Sequence, residues 1–194
     1  MRAERSGGLL FRRYSGPEAS MLRSTVESVY SCSYVEAIAS GHSFDSVAAF
    51  MSRFDSYAAG SGFDMIVAYH GDDAIGQTWG WPLDAGTGWW EGLESEPEPG
   101  FTQEDGVRTF ALSEIMVCRE WAGHGVARAM HDQLLQARPE SRATLLVEPE
   151  NLRARRAYLH WGWHEVAQLR PGWDDAPAFD VFMRNLGSPA QARC

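Results

Sequence analysis

A glycine-rich turn between a predicted strand and a predicted helix carries the most informative residues of this 194-residue chain. The stretch from Val117 to Arg128 reads VCREWAGHGVAR. Glycines let the backbone turn tightly and approach a ligand closely, and the first turn of a helix leaves its N–H groups unpaired. Such N–H groups and the helix dipole favour a bound phosphate, to which Arg128 adds a positive charge. The stretch lacks the Lys-Ser/Thr ending of a P-loop and the glycine spacing of a dinucleotide-binding turn.

A second pattern runs from Asn151 to Trp163 and reads NLRARRAYLHWGW. Together the two stretches resemble the GNAT superfamily, the acyl-CoA-dependent N-acetyltransferases. In that family a strand, a glycine-rich turn and a helix hold the pyrophosphate of coenzyme A. The next helix carries an Asn and a Tyr, matched here by Asn151 and Tyr158, before a Gly-Phe pair in which Trp163 replaces the Phe. The match is close over residues 112–163 and extends to Leu186; upstream only the order of elements agrees.

The resemblance implies both a fold and a reaction. The fold is an α/β domain with a mixed, mostly antiparallel central sheet, splayed at its centre and flanked by helices. The reaction is N-acetyltransferase chemistry, in which an acetyl or short acyl group passes from acyl-CoA to a primary amine by direct attack in a ternary complex. Acetyl-CoA is the co-substrate that it implies, with no metal.

The resemblance also implies which residues hold the cofactor. Backbone N–H groups around Met116 and Val117 are expected to hold the pantetheine arm and to polarise the thioester carbonyl. Ala122 stands where the family's turn usually has Arg or Gln, and we expect its backbone N–H to remain available. Asn151 is expected to cap its helix and to bond the pantetheine. The full predicted set is Met116, Val117, Ala122, Gly123, His124, Gly125, Val126, Ala127, Arg128 and Asn151.

Acetyl transfer also needs groups that move protons. A primary amine is protonated at neutral pH, since its pKa lies near ~10, and it must lose a proton before it attacks the thioester. Glu114, inside an apolar strand, is the candidate base, acting directly or through water. Tyr158 is the candidate general acid toward the departing thiolate. The alternatives are a Glu114 that faces outward or is paired, and a Tyr158 that is a core aromatic residue.

Residues 84–109 form a long segment rich in Gly, Pro and acidic residues, with seven acids against the single base Arg108. Such a segment is usually functional or disordered. One hypothesis is a lid whose acids attract a cationic amine; the alternative is a solvated, mobile cover. The aromatic side chains predicted to contact the acceptor are Trp79, Trp81, Trp89 and Trp90.

The predicted elements that position these residues follow the order β-α-α-β-β-β-α-β-α-β-β. A strand-helix-strand crossover near the centre indicates a mixed α/β chain, and we expect one domain over residues 1–194. The predicted strands cover residues 9–14, 63–69, 74–81, 110–118, 144–147, 163–169 and 179–184, and the predicted helices cover 21–30, 47–57, 126–137 and 151–161.

The bulk composition narrows the partners and the compartment. The net charge of −9 and a pI near 5.1 argue against nucleic acid and anionic membranes. Cys32, Cys118 and Cys194 lack the spacing of a metal or redox site, which indicates free thiols in a reducing compartment. No signal peptide or membrane span is recognisable, so the chain is expected to be cytoplasmic. A homodimer is compatible with the sequence but does not follow from it.

Alternative functions remain open at this level. The acidic segment favours a cationic small molecule as the acceptor, but a protein N-terminus or lysine fits the same chemistry. Because Ala122 departs from the family pattern, a non-catalytic acyl-CoA-binding regulatory module is a second reading. A structural or interaction domain is a third.

Overall fold

The computed structural model describes residues 3–6, 8–172 and 176–187, with side chains from residue 8 onward. Close packing divides the chain into two compact units. The first contains the described residues up to 81 together with 113–137, and the second contains 82–112 together with the described residues from 138 onward. Strand β5, Thr109–Val117, contributes residues to both. No described helix has the length and apolar composition that a bilayer crossing requires.

The sheet of the first unit consists of β1 (Ala3–Ser6), β2 (Leu9–Ser15), β3 (Asp64–His70), β4 (Asp73–Pro82) and the end of β5. The strands follow this order in space, and the pairs β1–β2, β2–β3 and β3–β4 are antiparallel. Gly71 and Asp72 form the tight turn between β3 and β4. The Cys118 N–H donates to the Ile75 carbonyl at 2.9 Å, which ties the end of β5 to β4.

Helices α1 (Gly16–Ser20), α2 (Arg23–Ser33), α3 (Val35–Ser40) and α4 (Val47–Ala58) precede the β3–β4 hairpin. Apolar residues of α2 and α4 recur at helical spacing and pack with β3 and β4 into one core. Helix α5 (Val126–Gln136) packs near β3, and Arg13 donates to the Leu134 carbonyl at 3.2 Å. Helices α1 and α3 were not predicted, because helices of 5 and 6 residues are too short to show a full hydrophobic repeat.

The second unit contains the start of β5, then β6 (Arg142–Val147), β8 (Phe179–Asn185) and β7 (His164–Leu169) in spatial order, with helix α6 (Leu152–His160). Pairs β6–β8 and β7–β8 are antiparallel, whereas β5–β6 is parallel. The β5–β6 ladder contains only Thr109–Ala111 paired with Arg142–Thr144. The described sheet is therefore mixed and mostly antiparallel, as the fold class predicted. The parallel pairing of β5 with β6 stops at Ala111, although β5 continues to Val117, which agrees with a sheet splayed at its centre.

The acidic segment, residues 84–109, pairs at residues 92–94 with the edge of this unit's sheet, and most of its other residues are exposed. Leu93 bridges Leu169 of β7, and the Glu94 N–H donates to the Gln168 carbonyl at 2.9 Å. The Arg170 N–H donates to the Gly92 carbonyl at 2.9 Å. These bonds extend the ladder beyond β7 and occupy an otherwise open strand edge.

A buried ion pair anchors the same segment. The Glu104 carboxylate, whose side chain is 1% exposed, lies 3.0 Å from Arg142. It also accepts hydrogen bonds from the Trp90 indole at 3.1 Å and from the Thr109 hydroxyl at 2.8 Å. A buried carboxylate is tolerated only when charge and hydrogen bonds compensate it, and this network supplies both.

Cys32 of α2 and Cys118, directly after β5, form a disulfide, with their Cα atoms 4.8 Å apart. The expectation of free thiols was wrong for this pair. Spacing along the chain could not indicate it, because the fold brings together residues separated by 86 positions. Cys194 lies outside the described residues. The argument from free thiols to a reducing compartment therefore loses its support.

Candidate active site

The glycine-rich turn begins immediately after β5. Residues Arg119–Trp121 form one turn of 3-10 helix, and Gly125 then caps α5 without a side-chain partner. Gly123 and Gly125 have φ angles of 84° and 79°, the left-handed region that L side chains adopt only at a steric penalty. These two conformations aim several backbone N–H groups outward, as in an anion-binding nest.

Hydrogen bonds inside the turn determine which of its N–H groups remain for a ligand. The Ala122 N–H donates to the Arg119 carbonyl at 3.1 Å, and the His124 N–H donates to the Trp121 carbonyl at 3.4 Å. The expectation that the Ala122 N–H would be available is therefore corrected. From Gly123 to Ala127, four N–H groups have no acceptor among the described residues, namely those of Gly123, Gly125, Val126 and Ala127.

Arg128 contributes less positive charge to the turn than the sequence indicated. Its Nε donates to the Asp132 carboxylate at 2.6 Å, an i,i+4 pair on α5. Burial works to raise the pKa of Asp132, but hydrogen bonds from Arg128 and His131 outweigh it and hold that pKa below its ordinary value. Because Asp132 stays ionised, it neutralises much of the Arg128 charge.

Met116 and Val117, the two strand residues predicted to contact the pantetheine, differ in the direction of their N–H groups. In a strand, N–H groups alternate between the two neighbours. Since the Cys118 N–H donates to β4, the Met116 N–H also faces β4, whereas that of Val117 faces away. The Gln77 side chain of β4 donates to the Met116 sulfur at 3.2 Å, so Met116 and Gln77 share one face of the sheet. Val117 is thus the better placed of the two to donate to a ligand.

An open cavity of about 390 Å³ lies beside the turn, lined in part by His70, Asp73, Glu120, Trp121 and His124. The Trp121 ring lies 4.7 Å from the His70 ring and 6.0 Å from the His124 ring, measured between centroids. His124 therefore belongs to an aromatic group at the outer side of the turn.

Glu114 lies on β5 and is half-buried. Its carbonyl accepts a hydrogen bond from the Thr78 hydroxyl at 2.7 Å, and side-chain alternation places its carboxyl on the same sheet face as Met116. Burial raises the pKa of Glu114 to about 7, and the positive charge of Arg53 partly opposes the shift. A carboxyl group with this pKa is poised to accept a proton near neutral pH.

Aromatic side chains from α2 and α4 face the same region. The Tyr57 and Trp81 rings stack with centroids 4.5 Å apart and planes 25° apart, and both residues are half-buried. Burial raises the pKa of Tyr57, and the negative charge of Glu114 raises it further. The Tyr30 hydroxyl donates to the Asp45 carbonyl at 2.8 Å, and burial followed by the Asp45 charge raises its pKa.

Of the two tryptophans predicted on β4, only Trp81 retains exposed surface. Trp79 is 1% exposed and packs among Phe50, Phe54 and Phe63 at centroid distances of 5.8, 5.4 and 6.2 Å. Its place in the core differs from the expected place on a pocket wall. Trp79 and Trp81 share a strand face, but the helices cover Trp79 and leave Trp81 partly accessible.

The remaining predicted residues lie in the second unit. The Asn151 side chain accepts a hydrogen bond from the Ala154 N–H at 3.1 Å, so the predicted helix cap is present. Tyr158 is 8% exposed, and its ring lies 6.2 Å from Trp163 and 6.3 Å from Phe182. Its catalytic role stays a prediction.

The two tryptophans of the acidic segment differ in exposure. Trp90 is 7% exposed, and its indole is bonded to Glu104, which corrects its predicted place in an acceptor wall. Trp89 is half-buried, and its backbone N–H donates to the Thr87 hydroxyl at 3.2 Å.

Arg53 and Tyr57 are the neighbours of Glu114 that the sequence did not single out. Both lie on α4, four residues apart, and therefore on one helix face. Tyr57 belongs to the apolar repeat of α4, and Arg53 lies at the edge of that apolar face. A basic residue that borders an apolar helical face is the signal that could have identified it.

The sheet, the glycine-rich turn and the half-buried strand carboxyl agree with the fold that the resemblance to acyl-CoA-dependent N-acetyltransferases predicted. The profile of the Acetyltransferase (GNAT) family matches residues 27–163, more than half of the chain. The chain is a member of the GNAT acetyltransferase family. No protein with a curated description matches its sequence significantly.

Solved structures share the fold at low sequence identity. The ribosomal-protein-S18-alanine N-acetyltransferase of Escherichia coli has a TM-score of 0.61 and 12% identity, covering 94% of this chain and 97% of that one. Ard1 of Thermoplasma volcanium has a TM-score of 0.60 and 15% identity, covering 92% and 97%. The PaiA N-acetyltransferase of Thermoplasma acidophilum, solved with coenzyme A, has a TM-score of 0.53 and 10% identity, covering 91% and 98%. Identities this low establish the fold alone.

Proposed function

We propose that this chain transfers an acetyl group from acetyl-CoA to the primary amine of a small molecule. The observation that carries the proposal is the order of groups along β5 and the turn. Glu114, with a pKa raised to about 7, precedes the outward-facing amide of Val117, and the N–H groups of Gly123 and Gly125–Ala127 follow. A proton acceptor, a carbonyl-polarising donor and a phosphate-binding turn thus lie on one continuous stretch of the first unit.

The proposed reaction is a single displacement. The amine enters as an ammonium ion, and Glu114 accepts a proton from it, directly or through water. The nitrogen lone pair then attacks the thioester carbonyl, while the Val117 N–H stabilises the negative oxygen of the tetrahedral intermediate. A C–N bond forms, the nitrogen loses its second proton to water, and the C–S bond breaks, which releases coenzyme A as a thiolate. Tyr158 is proposed, from the family resemblance, to give the thiolate a proton and to regain one from solvent.

The acceptor proposed here is a small amine that approaches as a cation. The faces of Tyr57 and Trp81 carry the negative part of the aromatic quadrupole, which attracts an ammonium group. Glu114 adds negative charge once it is ionised. The acidic residues of the segment 84–109 support a cationic acceptor less than expected. Glu104 is paired with Arg142, so its charge is not available to attract the acceptor. A protein N-terminus or lysine remains the competing acceptor.

Release of coenzyme A thiol, measured with an amine panel, tests the proposal. We expect thiol release that depends on the amine, with an acetylated product of matching mass. The chain contains no lysine side chain that could accept acetyl groups and create background. Acetyl-CoA binding without thiol release on any amine or peptide would instead identify a regulatory module. The matched pair Glu114→Gln and Glu27→Gln distinguishes loss of the base from loss of any carboxylate, because Glu27 is exposed on α2.

A further inference from the structure

Arg53 is a half-buried arginine whose guanidinium forms no ion pair with any residue that the structure describes. Its Nη1 donates to the Phe44 carbonyl at 3.0 Å, and its guanidinium carbon lies 3.9 Å from the centroid of the Phe44 ring. Within the described parts of the chain it forms no ion pair. Other arginines of the first unit do: Arg23 pairs with Asp55, and Arg119 pairs with Glu36. A guanidinium has five N–H donors, so most of the donor capacity of Arg53 is unused among the described residues.

A chain of contacts places Arg53 beside the acceptor region. Glu114 and Trp81 share one sheet face on neighbouring strands, since Glu114 has the orientation of Met116 and Trp81 that of Gln77. Trp81 stacks on Tyr57 of α4. Arg53 lies one helical turn before Tyr57, a rise of about 6 Å along the helix axis. Glu114, the stacked Tyr57 and Trp81 rings, and Arg53 therefore follow one another in space along one surface.

Electrostatics agree with this geometry. The positive charge of Arg53 opposes the effect of burial on the pKa of Glu114, and it also opposes the raised pKa values of Tyr57 and Tyr30. All three groups therefore lie within electrostatic range of the guanidinium. An arginine that served only to pair with Glu114 would bond it directly, and no such ion pair is present among the described residues.

We propose that Arg53 binds an anionic group of the acceptor, so that the acceptor is an amino-acid-like molecule carrying a carboxylate or a phosphonate in addition to its primary amine. The inference rests on the proposed function and specifies the acceptor class. The amine lies at Glu114, the anion accepts hydrogen bonds from Arg53, and the rest of the carbon skeleton contacts Tyr57 and Trp81. A planar guanidinium suits both oxyanions because it can donate two parallel hydrogen bonds to either.

Matched amine pairs that differ only in the acid group test this. The pairs are phenylalanine with phenethylamine, tryptophan with tryptamine, histidine with histamine, and 2-aminoethylphosphonate with ethylamine. Steady-state kinetics with acetyl-CoA would be measured for each member. Binding of the same compounds to the protein saturated with coenzyme A would be measured by calorimetry, which needs no turnover.

We expect the acid-bearing member of at least one pair to have a kcat/KM about tenfold or more above its partner, through a lower KM. The carboxylate and phosphonate pairs show which anion is preferred. Arg53→Gln should abolish the difference by raising KM, and Arg53→Lys, which keeps the charge, should restore part of it. Arg23→Gln removes an exposed arginine that is paired to the same helix and should preserve the preference.

The outcomes separate this inference from the proposed function. If amines are acetylated with no preference for the acid-bearing member, or if the preference survives Arg53→Gln, the inference fails and acetyl transfer stands. If no amine releases thiol but acid-bearing compounds bind the native protein more tightly than Arg53→Gln, the proposed function fails and the anion site stands. Should Arg53→Gln be unfolded, judged by its thermal transition, the paired comparison on the native protein and on Arg53→Lys still decides.

Discussion

Replacing Glu114 by glutamine should make the protein more stable at neutral pH and remove its activity. Burial raises the pKa of this carboxyl from 4.5 to about 7. Each unit corresponds to about 1.4 kcal/mol, so ionised Glu114 destabilises the fold by about 3 kcal/mol relative to its protonated form. Residual solvent contact of the half-buried side chain makes this an upper figure. Glutamine is nearly isosteric and stays neutral, so it avoids the penalty.

The sign of the pH dependence follows from proton binding. Between pH 4.5 and about 7 the unfolded chain has lost the Glu114 proton while the folded chain retains it. The folded state thus binds more protons, and the contribution of Glu114 to stability falls as pH rises through this window. Above the pKa that Glu114 has in the folded protein, its contribution to stability is lost completely. Glu114→Gln and the native protein should therefore be equally stable below pH 4.5 and differ most at pH 8.

Chemical denaturation at half-unit steps from about pH 4 to 8.5 measures the difference directly. Only the difference between the two proteins is interpreted, because other carboxyl groups titrate in both. Glu27→Gln is the control for a charge lost at an exposed site and should show no such pH-dependent gain. Native kcat/KM should fall about tenfold per pH unit below pH ~7 as Glu114 becomes protonated. An unchanged stability at pH 8 together with retained activity in Glu114→Gln would refute both the burial argument and the base assignment.

Four further changes test other parts of the structure. Tyr158→Phe should lower kcat about tenfold or more while leaving the acetyl-CoA affinity unchanged in calorimetry. Gly125→Ala forces a left-handed φ of 79° on a side chain and should weaken acetyl-CoA binding several-fold, with a stability loss of about 1 kcal/mol. Reduction, or Cys32→Ser, should lower the unfolding free energy by up to about 4 kcal/mol, because the disulfide closes a loop of 86 residues. Glu104→Gln should lower it by about 3 kcal/mol in urea titrations, since Arg142 then loses its buried partner.

The cofactor side of the fold was predictable because its signals are local. The glycines of the turn, the Asn151 cap and the apolar repeat of α5 each act within a few residues, and the structure places each element close to its predicted bounds. The hydrogen bonds of Ala122 and His124 were not predictable, because they depend on a short 3-10 turn that leaves no clear pattern in the sequence.

The acceptor side was predicted less well because its groups come from distant segments. Trp79 and Trp81 have the same strand parity, and only the helices above them determine which one is covered. The acidic composition of residues 84–109 left open a lid or a solvated, mobile cover. It did not indicate that Glu104 is buried in contact with Trp90 and with Arg142, thirty-eight positions later. Composition reports average solvation and cannot indicate such a pairing.

In the first unit, other contacts offset the loss of stability that comes from burying the ionisable Glu114. Glu114 is held where its charged form is disfavoured, and the same strand is anchored by the Thr78 hydroxyl at Glu114 and by the Cys118 disulfide at its end. The aromatic core around Trp79 packs directly beneath the site. A carboxyl group with a raised pKa requires a surrounding structure that cannot relax to hydrate it. The rigidity of this core is therefore part of the proton-transfer chemistry, and loosening it by Phe54→Ala should lower the pKa of Glu114 as well as the stability, which the acid limb of the pH–rate profile would report as a shift toward lower pH.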